Sequence, residues 1–80
     1  MEAKYICGEL PAAFGTCYGA IIFPNFMGHD EVAWALGVKP TSAGMCRQDD
    51  YGRWCAYGRS QSLNLDSNPE QDEKQLEKLG

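Results

Sequence analysis

The spacing of apolar residues differs from one part of the chain to the next, and these differences predict which parts are strands and which are helices. Residues 4–7 and 16–23 are rich in β-branched and aromatic side chains, which is typical of strands. Pro11 lacks a backbone donor and should prevent the first strand from continuing, and Pro24 should end the second. The pattern therefore predicts two strands before the first helix.

The clearest helix signal begins at Gly28 and ends at Gly37, a residue type that readily adopts the left-handed conformation of helix ends. Two acidic residues in its first turn would face the positive end of the helix dipole. Val32 and Leu36 lie four residues apart, so we expect both side chains to face the sheet.

A hairpin and a second helix follow. Strands are predicted over residues 43–48 and 53–59, joined by a turn at residues 49–52 where aspartate and glycine suit turn geometry. Asn68 is predicted to cap a charged helix that starts at Pro69 and runs to residue 79.

The predicted fold class is α+β. The elements follow the order β-β-α-β-β-α and form a small antiparallel sheet of three to five strands with helix packed on one face. Eighty residues suffice for one domain. Residues 1–65 would form its core, and residues 66–80 an acidic helix belonging to the same domain.

Net charge is uneven along the chain. The total is −4, and residues 66–80 carry −3 of it, from five acids and two lysines. A phosphate-binding surface needs a concentrated basic patch, so we expect no direct binding of nucleic acid. The spacing leaves open whether Arg47, Arg53 and Arg59 converge on the hairpin.

The four cysteines lack the spacing of a metal site. Cys7, Cys17, Cys46 and Cys55 contain no C-x-x-C pair, and tight pairs are usual in structural zinc sites. We expect four free, mostly buried thiols, with zinc and disulfides as the open alternatives, and no cofactor. The longest apolar run is too short to cross a bilayer and no export signal is apparent, so a cytoplasmic protein is expected.

Few residues could support catalysis. His29 is the only histidine, and a helix-start histidine more often caps or packs than acts as a base. A Cys–His pair is arithmetically possible, but so short a chain has little material for a substrate pocket. We therefore expect no enzymatic activity.

The residues best suited to a protein interface are acids and aromatics. Trp54 could instead be a core residue, which is the favoured interpretation in a small domain. An acidic helix could equally serve only solubility. The candidate protein-binding set comprises Asp49, Asp50, Tyr51 and Trp54 of the hairpin with Glu70, Asp72, Glu73 and Glu77 of the last helix.

Residues 57–65 resemble a signature of small uncharacterised phage-encoded proteins. In those proteins a helix like residues 29–33 precedes a hairpin like residues 42–46, and a segment like residues 67–72 leads into the last helix. The resemblance covers residues 20–80. The size, acidity and lack of catalytic parts are also similar to anti-CRISPR proteins, which share no common motif, so no functional residue is carried over.

The resemblance implies a phage-derived inhibitor that acts in the host bacterial cytoplasm. It would bind a CRISPR effector subunit stoichiometrically and cover a basic surface of that subunit. The alternative is a phage structural or accessory protein without a host target, which self-associates, as a homodimer for example, through an exposed strand edge. A small metal-binding or redox protein is the third class.

Overall fold

The computed structural model describes residues 2–79, so Met1 and Gly80, at the ends of the two predicted ranges, lie outside the described residues. Six strands and two helices occupy this part of the chain. Their order is β1 Ala3–Ala12, β2 Gly15–Phe23, α1 His29–Leu36, β3 Lys39–Gln48, β4 Trp54–Tyr57, β5 Arg59–Ser60, β6 Leu65–Asp66 and α2 Pro69–Glu77.

The strands form a four-stranded antiparallel sheet in the spatial order β2-β1-β3-β4 and a separate two-stranded sheet of β5 and β6. The fold is therefore a small α+β domain built on an antiparallel sheet. The predicted element order is not confirmed as it stands, because β5 and β6 lie between β4 and α2. Each of these two strands is two residues long, too short to give an alternating pattern.

Strand β1 is longer than predicted: it continues through Pro11, which was expected to end it. The pairing of β1 with β3 extends only as far as Glu9, whereas its pairing with β2 continues to Ala12 and Gly15. A proline is tolerated where one side of its strand has no neighbour. The last residues of β1 thus form a two-stranded hairpin with β2 that extends beyond the rest of the sheet.

The two helices cover opposite faces of the sheet, so the prediction of helix on one face is wrong. Tyr5 and Cys7 of β1 point to the face where Leu76 of α2 packs, which we call the α2 face. Ile6 points to the other face, where Val32 of α1 packs, which we call the α1 face. Successive residues of a strand alternate between faces, and local helix signals carry no information about the choice of face.

Helix α1 has the predicted ends, but only part of the predicted buried surface. Gly37 has a φ of 69°, the left-handed conformation expected of it. Val32 is buried as predicted, whereas Leu36 is 51% exposed. The chain reverses at Gly37, and the N–H of Val38 donates to the Ala33 carbonyl at 2.9 Å, so Val38 rather than Leu36 enters the core.

Two glycines allow the chain to leave β4 and reach α2. Gly58 has a φ of 75°, which turns the backbone away from the four-stranded sheet. A Cβ atom at Gly44 would lie 2.5 Å from the carbonyl oxygen of Tyr57, so only glycine permits this approach of the two strands. The short β5–β6 hairpin and then α2 follow from this bend.

Candidate protein-binding surface

The turn between β3 and β4 (residues 49–53) is held by internal hydrogen bonds and carries an exposed aromatic side chain. One carboxylate oxygen of Asp49 accepts hydrogen bonds from the N–H groups of Tyr51 and Arg53, each at 2.9 Å. Gly52, with a φ of 80°, donates to the Asp49 carbonyl at 3.0 Å. Tyr51 is 90% exposed at the tip, next to exposed Asp50. This β3–β4 turn therefore presents an aromatic ring and a carboxylate on a fixed backbone.

Trp54 lies mostly in the core. Its side chain is half-buried and packs against the buried cluster of the α2 face. Its indole N–H is buried and has no hydrogen-bond partner within residues 2–79. The packing agrees with the core interpretation of this residue, and little of the ring remains for a partner to contact.

The four predicted acids of α2 have different environments. Glu70 and Glu77 are exposed. Glu73 is half-buried, and its carboxylate accepts a hydrogen bond at 2.8 Å from the N–H of Ala56, which lies in the edge strand β4. Glu73 thus pairs a backbone N–H at the edge of the sheet that would otherwise have no partner strand to bond to.

Asp72 is fully buried, so it cannot belong to the exposed acidic surface that we expected. Its carboxylate accepts hydrogen bonds from the hydroxyl of Ser42 at 2.6 Å, the N–H of Asn68 at 2.8 Å and the hydroxyl of Tyr5. Asp72 precedes Leu76 by four residues, which places both on the side of α2 that meets the sheet. The carboxylate joins the start of α2 to β1 and β3.

The predicted set is therefore not exposed as a whole, because Asp72 is buried and Trp54 and Glu73 are half-buried. Within residues 2–79, no hydrogen bond or ion pair joins the β3–β4 turn to the acids of α2. Arg59 pairs with Asp66 at 3.4 Å and donates to the side-chain oxygen of Asn64 at 2.8 Å, so it belongs to the β5–β6 hairpin. The exposed members of the set are the turn residues and Glu70 and Glu77.

Three side chains capable of acid–base or nucleophilic chemistry, those of His29, Cys7 and Cys46, are held in the core. His29 is buried, its Nε2 lies 2.9 Å from the Gly44 carbonyl, and burial lowers the pKa of its imidazole. Burial, with the neighbouring Asp72 carboxylate, raises the pKa of the Cys7 thiol to about 12. Burial alone raises the pKa of Cys46 to about 11. Both thiols are therefore un-ionised at neutral pH.

The other two cysteines are more accessible. Cys17 is exposed on β2 and Cys55 is half-buried on β4, and all four thiols are free. Two of the four are thus buried, fewer than the sequence led us to expect. Among residues 2–79, no group of three or more histidine, cysteine or acidic side chains is arranged to hold a metal ion.

A cavity of about 410 Å³ opens beside the start of α1. Lys4, Asp30 and Arg59 are among its lining residues. The ammonium of Lys4 donates to the Met27 carbonyl at 2.9 Å, and Arg59 is engaged by Asp66. Both cations are thus already bonded within the chain.

Several large apolar side chains are exposed, and the sequence patterns did not predict this exposure. Phe14, Phe26 and Trp34 are each more than 80% exposed. Two of them lie in residues 10–28, a stretch without any acidic, basic or histidine residue, which we call the uncharged segment. Phe14 and Phe26 lie at opposite ends of β2, so each is a separate apolar side chain for which the fold provides little internal packing. The absence of charge was visible in the sequence and could have identified the segment.

Comparisons with protein families, with curated proteins and with solved structures find no match to this chain. No helix within residues 2–79 is long and apolar enough to cross a membrane. The surface of the molecule is therefore what indicates its function.

Proposed function

We propose that this chain is a non-catalytic binding protein that inhibits a larger protein by covering a basic surface on it. Its contact surface is the β3–β4 turn, with Tyr51 as the anchor and Asp50 as the charged neighbour. One observation carries the proposal: a hydrogen-bonded turn backbone presents a 90% exposed tyrosine beside a carboxylate. Because the backbone is already held, binding has to order only the two side-chain torsions of the tyrosine, which keeps the loss of conformational entropy small.

Charge supports a basic target. The chain has a net charge of −4, and Glu70 and Glu77 add exposed carboxylates on α2. Complementary charge speeds the encounter of two proteins and fixes the orientation in which they meet. A surface that binds nucleic acid is strongly basic, so it is the kind of surface an acidic inhibitor can cover.

The likeness to anti-CRISPR proteins in size, acidity and lack of catalytic parts is the reason for proposing a CRISPR effector subunit in the host bacterial cytoplasm as the target. Asp72, Glu73 and Trp54 are left out of the proposed contact surface, because their side chains bond or pack within the fold. The proposed inhibitor acts by occupancy, so inhibition requires one copy of the chain for each effector site.

The test is a pull-down of purified CRISPR effector complexes with the tagged chain, at low and at high salt. We expect stoichiometric capture of one effector that weakens as salt rises. Tyr51→Ala should reduce the affinity at least about tenfold, as the loss of an interface anchor does. Asp50→Lys should slow association, because it reverses a charge at the point of contact.

Glu9→Lys is the matched control for Asp50→Lys. Glu9 is exposed and pairs with Lys39 at the start of β3, whereas the β3–β4 turn follows the end of that strand. The two variants change net charge equally at opposite ends of β3. Equal loss of affinity in both would mean that only total charge matters, and wild-type affinity in Tyr51→Ala would contradict the proposed anchor.

A further inference from the structure

Strand β2 forms one edge of the four-stranded sheet and has no blocking residue. It pairs with β1 on one side, and no strand within residues 2–79 pairs with its other side. A free edge presents unpaired N–H and C=O groups to which another strand can bond, and proteins commonly block it with lysine, proline or a bulge. The nine residues of β2, Gly15–Phe23, contain neither a charged residue nor a proline.

We propose that β2 pairs antiparallel with β2 of a second copy of the chain, forming a two-fold dimer with one continuous sheet. The proposal is independent of the inhibitory function and uses a different part of the surface. A two-fold interface must be complementary to itself, because the same residues contribute from both copies. The sequence and shape of β2 meet that requirement in three respects.

First, side-chain sizes match when the two-fold axis passes beside Gly19, the middle residue of β2. Tyr18 then lies opposite the partner's Ala20, and Gly15 lies opposite the partner's Phe23. In these two pairs a large side chain meets a small one, while Ile21 meets Cys17 and Ile22 meets Thr16, side chains that can pack across an antiparallel pair. Gly19 meets its own copy at the axis, where the absence of a side chain lets the two strands approach.

Second, the same register brings a fully exposed phenylalanine to an apolar cavity. Phe14 is at the tip of the β1–β2 hairpin and precedes Gly15, so it reaches the partner's Pro24. A cavity of about 590 Å³ lies at that end of β2, with Glu2 and Asn25 at its lining beside the apolar residues Ala3, Ile22, Phe23, Pro24 and Phe26. A cavity of about 150 Å³ is enough to hold a benzene ring, so the phenyl group has room to enter.

Third, charge gives no reason for the edge to prefer a different protein. The uncharged segment contains all of β2, the hairpin tip and most of the cavity lining. Glu2 is the charged residue among those that line the cavity, and its carboxylate accepts a hydrogen bond from the Tyr57 hydroxyl of its own chain. No charge within β2 itself therefore opposes the approach of two copies. The tip and the cavity lie at opposite ends of one strand, so the antiparallel two-fold arrangement fills both cavities at once.

The experiment is light scattering from micromolar to millimolar concentration. We expect the mass to rise from 8.9 kDa towards twice that value. Phe14→Asp should raise the dissociation constant of the dimer at least about tenfold, because it places a charge in the apolar cavity. Phe14 contacts nothing in the free chain, so the variant should fold normally.

Tyr51→Asp is the matched control, because Tyr51 is similarly exposed but follows β3, away from the β2 edge. It should dimerise like the wild type. A wild-type mass that stays at the monomer value at millimolar concentration would overturn the proposal, as would a Phe14→Asp variant that dimerises normally.

Amide hydrogen exchange identifies the edge that pairs. The β2 amides that face away from β1 should exchange more slowly as protein concentration rises, while those of β4 should not change. Exchange in β2 that is independent of concentration, in a protein whose mass doubles, would place the interface elsewhere and overturn the pairing. Neither result involves the effector, so failure of the dimer is distinct from failure of the inhibitory function.

Discussion

At the scale of single residues, Asp72 is the best-connected polar side chain in the core. Asp72→Asn should lower the free energy of unfolding by about 2–3 kcal/mol, because the amide nitrogen cannot accept one of the three hydrogen bonds the carboxylate receives. Glu70→Gln makes the same change of charge at an exposed position of α2 and should alter stability by less than about 0.5 kcal/mol. Urea unfolding measures both, and similar losses in the two variants would mean that the network does not anchor the helix.

His29 provides a second prediction at this scale, because burial lowers its pKa. Lys4 contributes to the lowering, while Asp30 and the bond to the Gly44 carbonyl oppose it. The unfolded chain therefore takes up a proton near pH 6.5 that the folded chain does not, so stability is complete above that pH and falls as pH decreases. The limiting slope is about 1.4 kcal/mol per pH unit for one proton.

Urea unfolding between about pH 7.5 and 5.5 measures this slope, in a window where His29 is the one ordinary side chain to titrate. His29→Gln can still donate to the Gly44 carbonyl but has no proton to gain, so its stability should change little across the window. An equal slope in that variant would assign the effect to other groups.

At the scale of elements, Asp49 and Asp50 offer a comparison between neighbours in one turn. Asp49→Ala removes two hydrogen bonds that order the β3–β4 turn, and should lower the free energy of unfolding by about 1–2 kcal/mol. Asp50→Ala should have almost no effect on stability, because no bond from its side chain to residues 2–79 holds the turn. Thermal unfolding of the two variants checks this, and a reversed order would contradict the geometry of the turn.

Elements with strong local signals were predictable from the sequence. The β3–β4 turn and the glycine at the end of α1 follow from residue types that favour specific backbone conformations. The length of β1 was not predictable in the same way. Whether Pro11 is tolerated depends on where the neighbouring strand β3 begins, because that is where the pairing of β1 with β3 ends. Helix placement on both faces likewise depends on tertiary packing.

Part of the candidate site was also within reach of sequence reasoning. The exposure of Tyr51 follows from its place in the turn, whereas the burial of Asp72 is visible only when its spacing from Leu76 is given more weight than its charge. The lack of charged residues in the uncharged segment can be read directly from the sequence. It indicates a free strand edge only once the structure places β2 at the edge of the sheet.

At the scale of the whole molecule, the two proposed surfaces lie at opposite edges of the sheet. Strand β2 forms one edge and β4 the other, and the β3–β4 turn joins β4 to its neighbour β3. A dimer formed through β2 therefore leaves both copies of Tyr51 exposed and far apart. Such a dimer is bivalent, and it can engage two effector copies at once when they are close enough.

Bivalency predicts that the density of the target controls the rate of release. On a surface densely coated with effector, the wild type should dissociate at least about tenfold more slowly than Phe14→Asp. When one Tyr51 turn of the dimer releases its effector, the other turn keeps the dimer on the surface until the first can rebind. On a sparse surface the two proteins should dissociate at the same rate, since each binds through a single turn. Surface plasmon resonance at the two densities measures this difference. Equal release at both densities, from a wild type that is dimeric, would mean that the two turns cannot bind at the same time.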